Sequence, residues 1–294
     1  MSIHNFLRLF VPPLYYEIKH RIVNRNLPPI YPLPLRKRKG DKMIVIGNGP
    51  SLNKSFEKYH DIICKTECVA VNFFASSSLY KEVRPAVYVL NDNVFLDIPE
   101  NLKLSIERLY RNIVNDTNWE MTVVLSCYAK NKEIVKILSE NTHIHIMYFN
   151  EIGTLSEDKN RNEAWNNNLV APPDATVLTI AVWLSLYWGY QETYIIGADT
   201  SWINELMVDQ QTNQLYTIDS HFYKSKDVYS EKNLYDNAHR RLIPNSIYTE
   251  LRCITKCFKA YEDLEEYAKW KGLKVYNASE YSLIDAFERK KLQN

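Results

Sequence analysis

Alternating buried strands and helices predict an α/β protein with a mostly parallel sheet and helices on both faces. Three observations carry that expectation. Continuous apolar, β-branched runs, Met43–Ile46 first among them, read as strands buried on both sides. Segments of helical period separate these runs, as parallel strands require. The predicted strand ends carry Asn or Asp (Asn48, Asn72, Asn91/Asp92, Asp199 and Asn277), and in such sheets ligands bind beyond the carboxyl ends of the strands.

The chain of 294 residues suits one large domain or a domain with a substantial subdomain, and 46% hydrophobic residues suffice for its core. Residues 1–42 form a separate basic, amphipathic arm. Phe6, Leu7, Leu9, Phe10, Val11, Leu14, Tyr15 and Ile18 cluster there with Arg8, Lys19, Arg21 and Arg25 around them. A proline-rich connector (27–34) and the basic run Arg36–Lys39 follow. Peripheral attachment to anionic lipid and docking on the domain or a second subunit both fit this arm. From Met43 strands are expected at 43–46, 68–74, 86–90, 121–125, 143–149, 193–199 and 273–276. Helices are expected from Leu52, over 101–112, 130–139, 175–188 and 247–271, and over the terminal 282–290. The polar stretches 151–173 and 200–245 lack period and read as long, functional loops.

Composition narrows the function. A net charge of +1 gives no global attraction to nucleic acid. No run of 18 apolar residues is present. The five cysteines point to a reducing compartment, and Cys64/Cys68 and Cys253/Cys257 read as core or near-core thiols, because no histidine pair completes a zinc pattern. The 21 tyrosines fit a sugar- or base-handling surface and fit a tyrosine-rich core equally well.

The most informative stretch is Met43-Ile-Val-Ile-Gly-Asn-Gly-Pro-Ser-Leu52. A strand, a glycine turn and a helix start make the first βα unit of a nucleotide-binding fold. Gly47 and Gly49 allow close backbone approach, helix N-terminal N–H groups face an anion, and Asn48 and Ser51 add hydrogen-bonding groups. The third glycine of a dinucleotide fingerprint and the Gly-Lys-Ser/Thr of a P-loop are both missing, so neither NAD nor ATP is specified. A tight turn in any α/β protein is the alternative.

Together with Val71-Asn-Phe73, Ala86-Val-Tyr88 followed by Asn91, and Ala181 through Asp199, this stretch resembles the bacterial sialyltransferases of glycosyltransferase family 42. It also resembles their relatives with an archaeal hydroxymethylpterin diphosphokinase-like domain. A weaker match covers 260–287, and 93–170 and 200–245 match poorly. The resemblance implies a single Rossmann-like, GT-A-variant domain (43–199) with a small lid on the acceptor side (200–245). A C-terminal helix-strand-helix (246–294) completes the domain. It implies inverting transfer of sialic acid or a related ulosonic acid from a CMP-sugar donor to a cell-surface glycan or lipooligosaccharide, with no further cofactor; no cluster of ligand residues calls for a metal. The partners are then the nucleotide sugar, a glycan or glycolipid acceptor and, through residues 1–42, the inner face of the bacterial inner membrane, with homo-oligomerisation open.

Carried over by residue, Asn48 and Ser51 touch the nucleotide phosphate, Asn72 the ribose or phosphate region, and Asn91 or Asp92 the sugar. Thr176 supplies a hydroxyl at the start of the apolar helix. The family's arginine before it falls near Asp174, which reads as a helix cap, and the family's glycine is missing. Asp199 and Asn277 close strand ends. Ser201 stands where a lid tyrosine is expected, leaving Tyr216, Tyr223 and Tyr229 as candidates. The base is His221 or His239, both able to take a proton near neutral pH, and Arg240 and Arg241 are candidates for donor anions. Two other functions remain open: an ATP- and Mg²⁺-dependent pterin pyrophosphokinase, and a nucleotide-binding protein without turnover.

Overall fold

The computed structural model describes residues 30–151, 160–173, 175–218, 229–231, 233–236 and 241–293. At its centre eight strands are joined, all in parallel: β1 (Lys42–Ile46), β2 (Glu67–Val71), β3 (Val87–Leu90), β4 (Met121–Ser126), β5 (Ile144–Phe149), β6 (Glu192–Ile196), β12 (Lys274–Asn277) and β13 (Glu288–Arg289). Their spatial order is β13-β12-β6-β1-β2-β3-β4-β5. The chain winds outward from β1 in both directions, so the topological switch point lies between β1 and β6.

Burial follows strand alternation. Met43 and Val45 of β1 face one core with α5 (Arg161–Asn166), α6 (Val177–Tyr187) and α7 (Ile247–Lys271). Ile44 and Ile46 face a second core with α1 (Leu52–Lys65), α2 (Leu79–Val83), α3 (Lys103–Asp116) and α4 (Glu133–Leu138). Helices therefore cover both faces, as predicted. Residues Leu178–Leu186 of α6 are all buried, because α6 lies between the sheet and α7 and needs no polar face. α7 starts at Ser246, whose side chain accepts from Thr249 N–H at 3.2 Å, and stops at Gly272, where φ is +70°.

The structure corrects several expectations. The terminal helix over 282–290 does not form. Leu283 N–H donates to Asp199 O (2.9 Å) and Ser282 Oγ–H to Ala198 O (2.6 Å), drawing this segment across the β6 end before β13 joins the sheet edge. The C-terminal unit is thus helix-strand-strand. The stretch 151–173 contains α5, fixed to α7 by Arg161 on Asp263 (2.5 Å) and Glu266 (2.7 Å). Within 200–245 lie a three-stranded antiparallel sheet, β7 (Leu206–Val208), β8 (Leu215–Ile218) and β9 (Tyr229–Glu231), and a hairpin of β10 (Asn233–Asp236) and β11 (Arg241–Pro244).

The described part of the arm, residues 30–41, is a strap along the domain. Asn150 holds Tyr31 by two bonds of 2.8 Å, Tyr187 O–H donates to Leu33 O (2.7 Å), and Trp188 Nε1–H to Pro34 O (3.1 Å). Arg36 pairs with Glu67 at 2.8 Å, and Arg38 donates to Gly189 O and sits over the Tyr190 ring. These two cations of the predicted lipid-binding cluster are therefore engaged within the fold; residues 1–29 lie outside the described residues.

Candidate active-site cleft

The carboxyl ends of β1–β6 open into one cleft with two compartments. The smaller, about 150 Å³, lies at the β1/β6 switch point; the larger, about 490 Å³, lies over the ends of β3, β4 and β5. Asn72, Thr176, Val177 and Trp202 line both, so the compartments meet at the N-terminus of α6.

The glycine turn packs against the loop that follows β6. Gly47 N–H donates to Ile196 O and Gly49 N–H to Gly197 O, both at 2.8 Å. A Cβ on Gly47 would meet Gly197 O at 2.4 Å, and one on Gly49 would meet Asp199 Oδ2 at 2.1 Å. These glycines let the β1 and β6 loops approach each other, and their amides are engaged in that contact, while Gly49 also lines the smaller compartment. Ser51 is likewise taken: its Oγ–H donates to Asp199 Oδ2 at 2.7 Å and its N–H to Oδ1 at 3.1 Å. The α1 N-terminus thus already holds an anion, the Asp199 carboxylate. Burial raises the Asp199 pKa above its ordinary 3.8, and the bonds from Ser51 oppose that rise. Thr200, next in the chain, has φ +49°, a costly conformation for a β-branched residue and one found at functional loops.

Other predicted residues converge in the cleft. Asn48 lines the smaller compartment, its Nδ2–H donating to Val71 O at 3.0 Å. Asn72 takes a left-handed φ of +44° at the end of β2, and its Oδ1 accepts from Asn91 N–H at 3.3 Å. Asn72 Nδ2 and the Asn91 side-chain amide have no partner among the described residues, and both residues line the larger compartment. Asp92 lines it too, with Oδ1 accepting from Val94 N–H at 3.1 Å. Thr176, not Asp174, is the N-cap of α6; its Oγ1 accepts from Leu178 N–H at 3.4 Å. Ser201 lines the smaller compartment and donates to Glu205 at 2.7 Å.

Asn277 is not among the residues that line the two compartments. Asn277 is buried, Nδ2–H donating to Ile284 O (2.9 Å) and Oδ1 accepting from Ser279 N–H (3.2 Å), so it organises the β12 end. Tyr216 is on β8, Tyr229 on β9 and Arg241 on β11. The predicted bases His221 and His239, with Asp174, Tyr223 and Arg240, lie outside the described residues.

The structure adds residues that the strand-end pattern missed. Ser126, at the end of β4, donates to Glu151, which follows β5. Glu250, Cys253 and Ile254 of α7 form a wall of the larger compartment, and Trp202 divides the two. Cys253 is exposed there, unlike the core thiols Cys68 and Cys257. A serine at a strand end was the available signal for Ser126. The α7 residues carried none, because they enter only when α7 folds back over the sheet.

No family model matches the chain, and no curated protein does so either. Among solved structures, the MAf glycosyltransferase from Magnetospirillum magneticum AMB-1 aligns over 94% of this chain at 10% identity, with a TM-score of 0.51. A UDP-glucose 4-epimerase from Thermotoga maritima aligns over 80% at 12% identity, with a TM-score of 0.25, too low to carry an argument. The chain spans 38% of the first protein and 54% of the second. At this identity the likeness speaks to architecture alone: the chain has a Rossmann-like α/β fold similar to that of a glycosyltransferase.

Proposed function

We propose that the chain is an inverting glycosyltransferase using a CMP-activated sugar, sialic acid or a related ulosonic acid, with a cell-surface glycan or lipooligosaccharide as acceptor. The observation that carries this reading is the set of neutral hydrogen-bonding groups where the compartments meet. Asn48, Asn72, Asn91 and Thr176 line the two compartments where they meet at the N-terminus of α6, whose dipole favours a negative charge. Departure of CMP from the anomeric carbon places charge on a phosphate oxygen, so preorganised neutral donors assist the leaving group without an acid. The acceptor oxygen attacks from the opposite face as the bond to phosphate breaks, and its proton passes to His221 or His239. The similarity to a glycosyltransferase fold supports the transferase class. No helix among the described residues is long and apolar enough to cross a membrane, and work on lipid-borne acceptors is assigned to peripheral attachment at the inner face of the inner membrane.

The test is a thermal-shift panel of CMP, CDP, UDP, GDP and ATP, each with and without Mg²⁺. A ligand at 100 times its dissociation constant adds about 2.7 kcal/mol of stability. CMP should stabilise the protein without metal, and Asn72→Ala should abolish the shift. A response to ATP with Mg²⁺ alone would replace this reading with pyrophosphoryl transfer. With a donor in hand, rates that survive in both His221→Ala and His239→Ala would remove the proposed bases.

A further inference from the structure

Thr176, which caps α6, and Thr200, which follows Asp199, both line the smaller compartment. Behind this lining lies Tyr261 of α7. It is fully buried, its ring stands edge-on to Phe287 at 5.9 Å, and its hydroxyl approaches the side chains of Thr200, Cys257 and Thr176. These approaches stop short of hydrogen bonds: among the described residues, neither the Tyr261 hydroxyl nor Thr200 Oγ1 has a bonding partner, and both atoms are buried. A buried hydroxyl without a partner costs stability, and phenylalanine at 261 would keep the ring while removing that cost. Burial also holds the Tyr261 pKa well above its ordinary 10, so the hydroxyl keeps its proton and can donate it to a hydrogen bond. Thr200 brings a second unfavourable feature to the same spot, its left-handed φ of +49°. Two unpaired hydroxyls and a strained backbone thus meet at the edge of one compartment.

Resting on the transferase reading, we infer that Tyr261 is a positioning residue for the phosphate of the donor nucleotide, acting through Thr200. With an anion seated at the N-terminus of α6, the Thr200 side chain turns toward it, accepts from Tyr261 O–H and donates its own proton to the anion. A hydroxyl accepts and donates at once, so two hydroxyls in series carry a donor from the interior to the ligand without burying a charge. Each bond polarises the next in a site of low dielectric. Tyr261 itself is not among the lining residues and touches no ligand. The ligand-free fold carries the cost of the unpaired hydroxyls, and binding relieves it, so the arrangement serves affinity at the expense of stability.

Calorimetric titration with CMP and, separately, with inorganic phosphate tests this on wild type, Tyr261→Phe, Thr200→Val and the double variant, alongside urea unfolding. Tyr261→Phe should bind CMP about fivefold more weakly, the worth of one hydrogen bond, while its unfolding midpoint stays level or rises. Thr200→Val should lose at least as much affinity, and the double variant no more than Thr200→Val, because the two hydroxyls act in series. A hydroxyl of purely structural use would lower the midpoint and leave affinity untouched; that result, or losses that multiply in the double variant, would overturn the inference. Should Tyr261→Phe not fold, unchanged CMP affinity in Thr200→Val overturns it equally. Phosphate held by wild type and weakened in Tyr261→Phe, with no response to CMP, would instead overturn the CMP-donor reading and leave the positioning role standing. No binding of either ligand would overturn both.

Discussion

Substituting Gly47 with alanine tests what the glycine turn is for. The new methyl group would sit 2.4 Å from Gly197 O and 2.9 Å from its carbonyl carbon, both backbone atoms that no rotamer change can move. The β1 and β6 loops would have to separate, weakening Gly47 N–H to Ile196 O and Gly49 N–H to Gly197 O. Two such hydrogen bonds are worth about 1 kcal/mol each, and overpacking a close-packed interior adds about 1–3 kcal/mol. The variant should therefore lose about 3–5 kcal/mol, a large share of the stability of a typical domain. Urea unfolding followed by circular dichroism measures this through the midpoint at unchanged slope. A glycine kept for phosphate approach would behave otherwise, leaving the midpoint in place while CMP stabilisation disappears. A loss below about 1 kcal/mol would refute the loop-contact reasoning.

Three further outcomes follow from the same geometry. Thr176→Ala removes the α6 cap and should cost about 1 kcal/mol; it should also reduce the thermal shift given by CMP, and a variant matching wild type in both would discount Thr176. Arg161→Met leaves the fully buried Asp263 with Lys259 (2.5 Å) as its remaining cation among the described residues, so unfolding should show a loss of about 3 kcal/mol, a figure contradicted by an unchanged midpoint. Burial raises the folded-state pKa of Asp199 above 3.8, so its contribution is present below the unfolded-state pKa and is lost as pH rises through the folded one. Asp199→Asn should flatten that decline in unfolding midpoints across the acid range, and a profile overlaying wild type would show that another group causes it.

The sheet was legible because strands buried on both faces are written as unbroken apolar runs, and α6 because a helix enclosed on all sides is apolar all round. The convergence of Asn48, Asn72, Asn91, Asp92 and Asp199 followed from strand polarity, whereas Thr176 and Ser201 were singled out by the family resemblance. The packing role of the glycine turn was not legible, because sequence records the need for close approach but not what approaches, here the β6 loop. The expected helix over 282–290 gives way to contacts with distant strands: Asn277 Nδ2–H donates to Ile284 O and Ser282 Oγ–H to Ala198 O. Glu250 and Trp202 depend on contacts between elements far apart in the chain, and local pattern carries no trace of those.

The strap over residues 30–41 bears on how the chain acquires its structure during synthesis. Its partners lie far downstream: Asn150 is 119 residues from Tyr31, and Tyr187 is 154 from Leu33. β1 is in the same position, since its β6 neighbour is made some 150 residues later. A ribosome working at about 5–20 residues per second leaves both segments waiting for many seconds before their contacts exist. β1 can pair early with β2, and among the described residues the strap's early partner is Glu67. The order of events is thereby set by topology: β2–β5 can assemble as the chain emerges, and the arrival of α6 and β6 closes the switch point and the strap together. Closure of the cleft is thus among the last steps of folding.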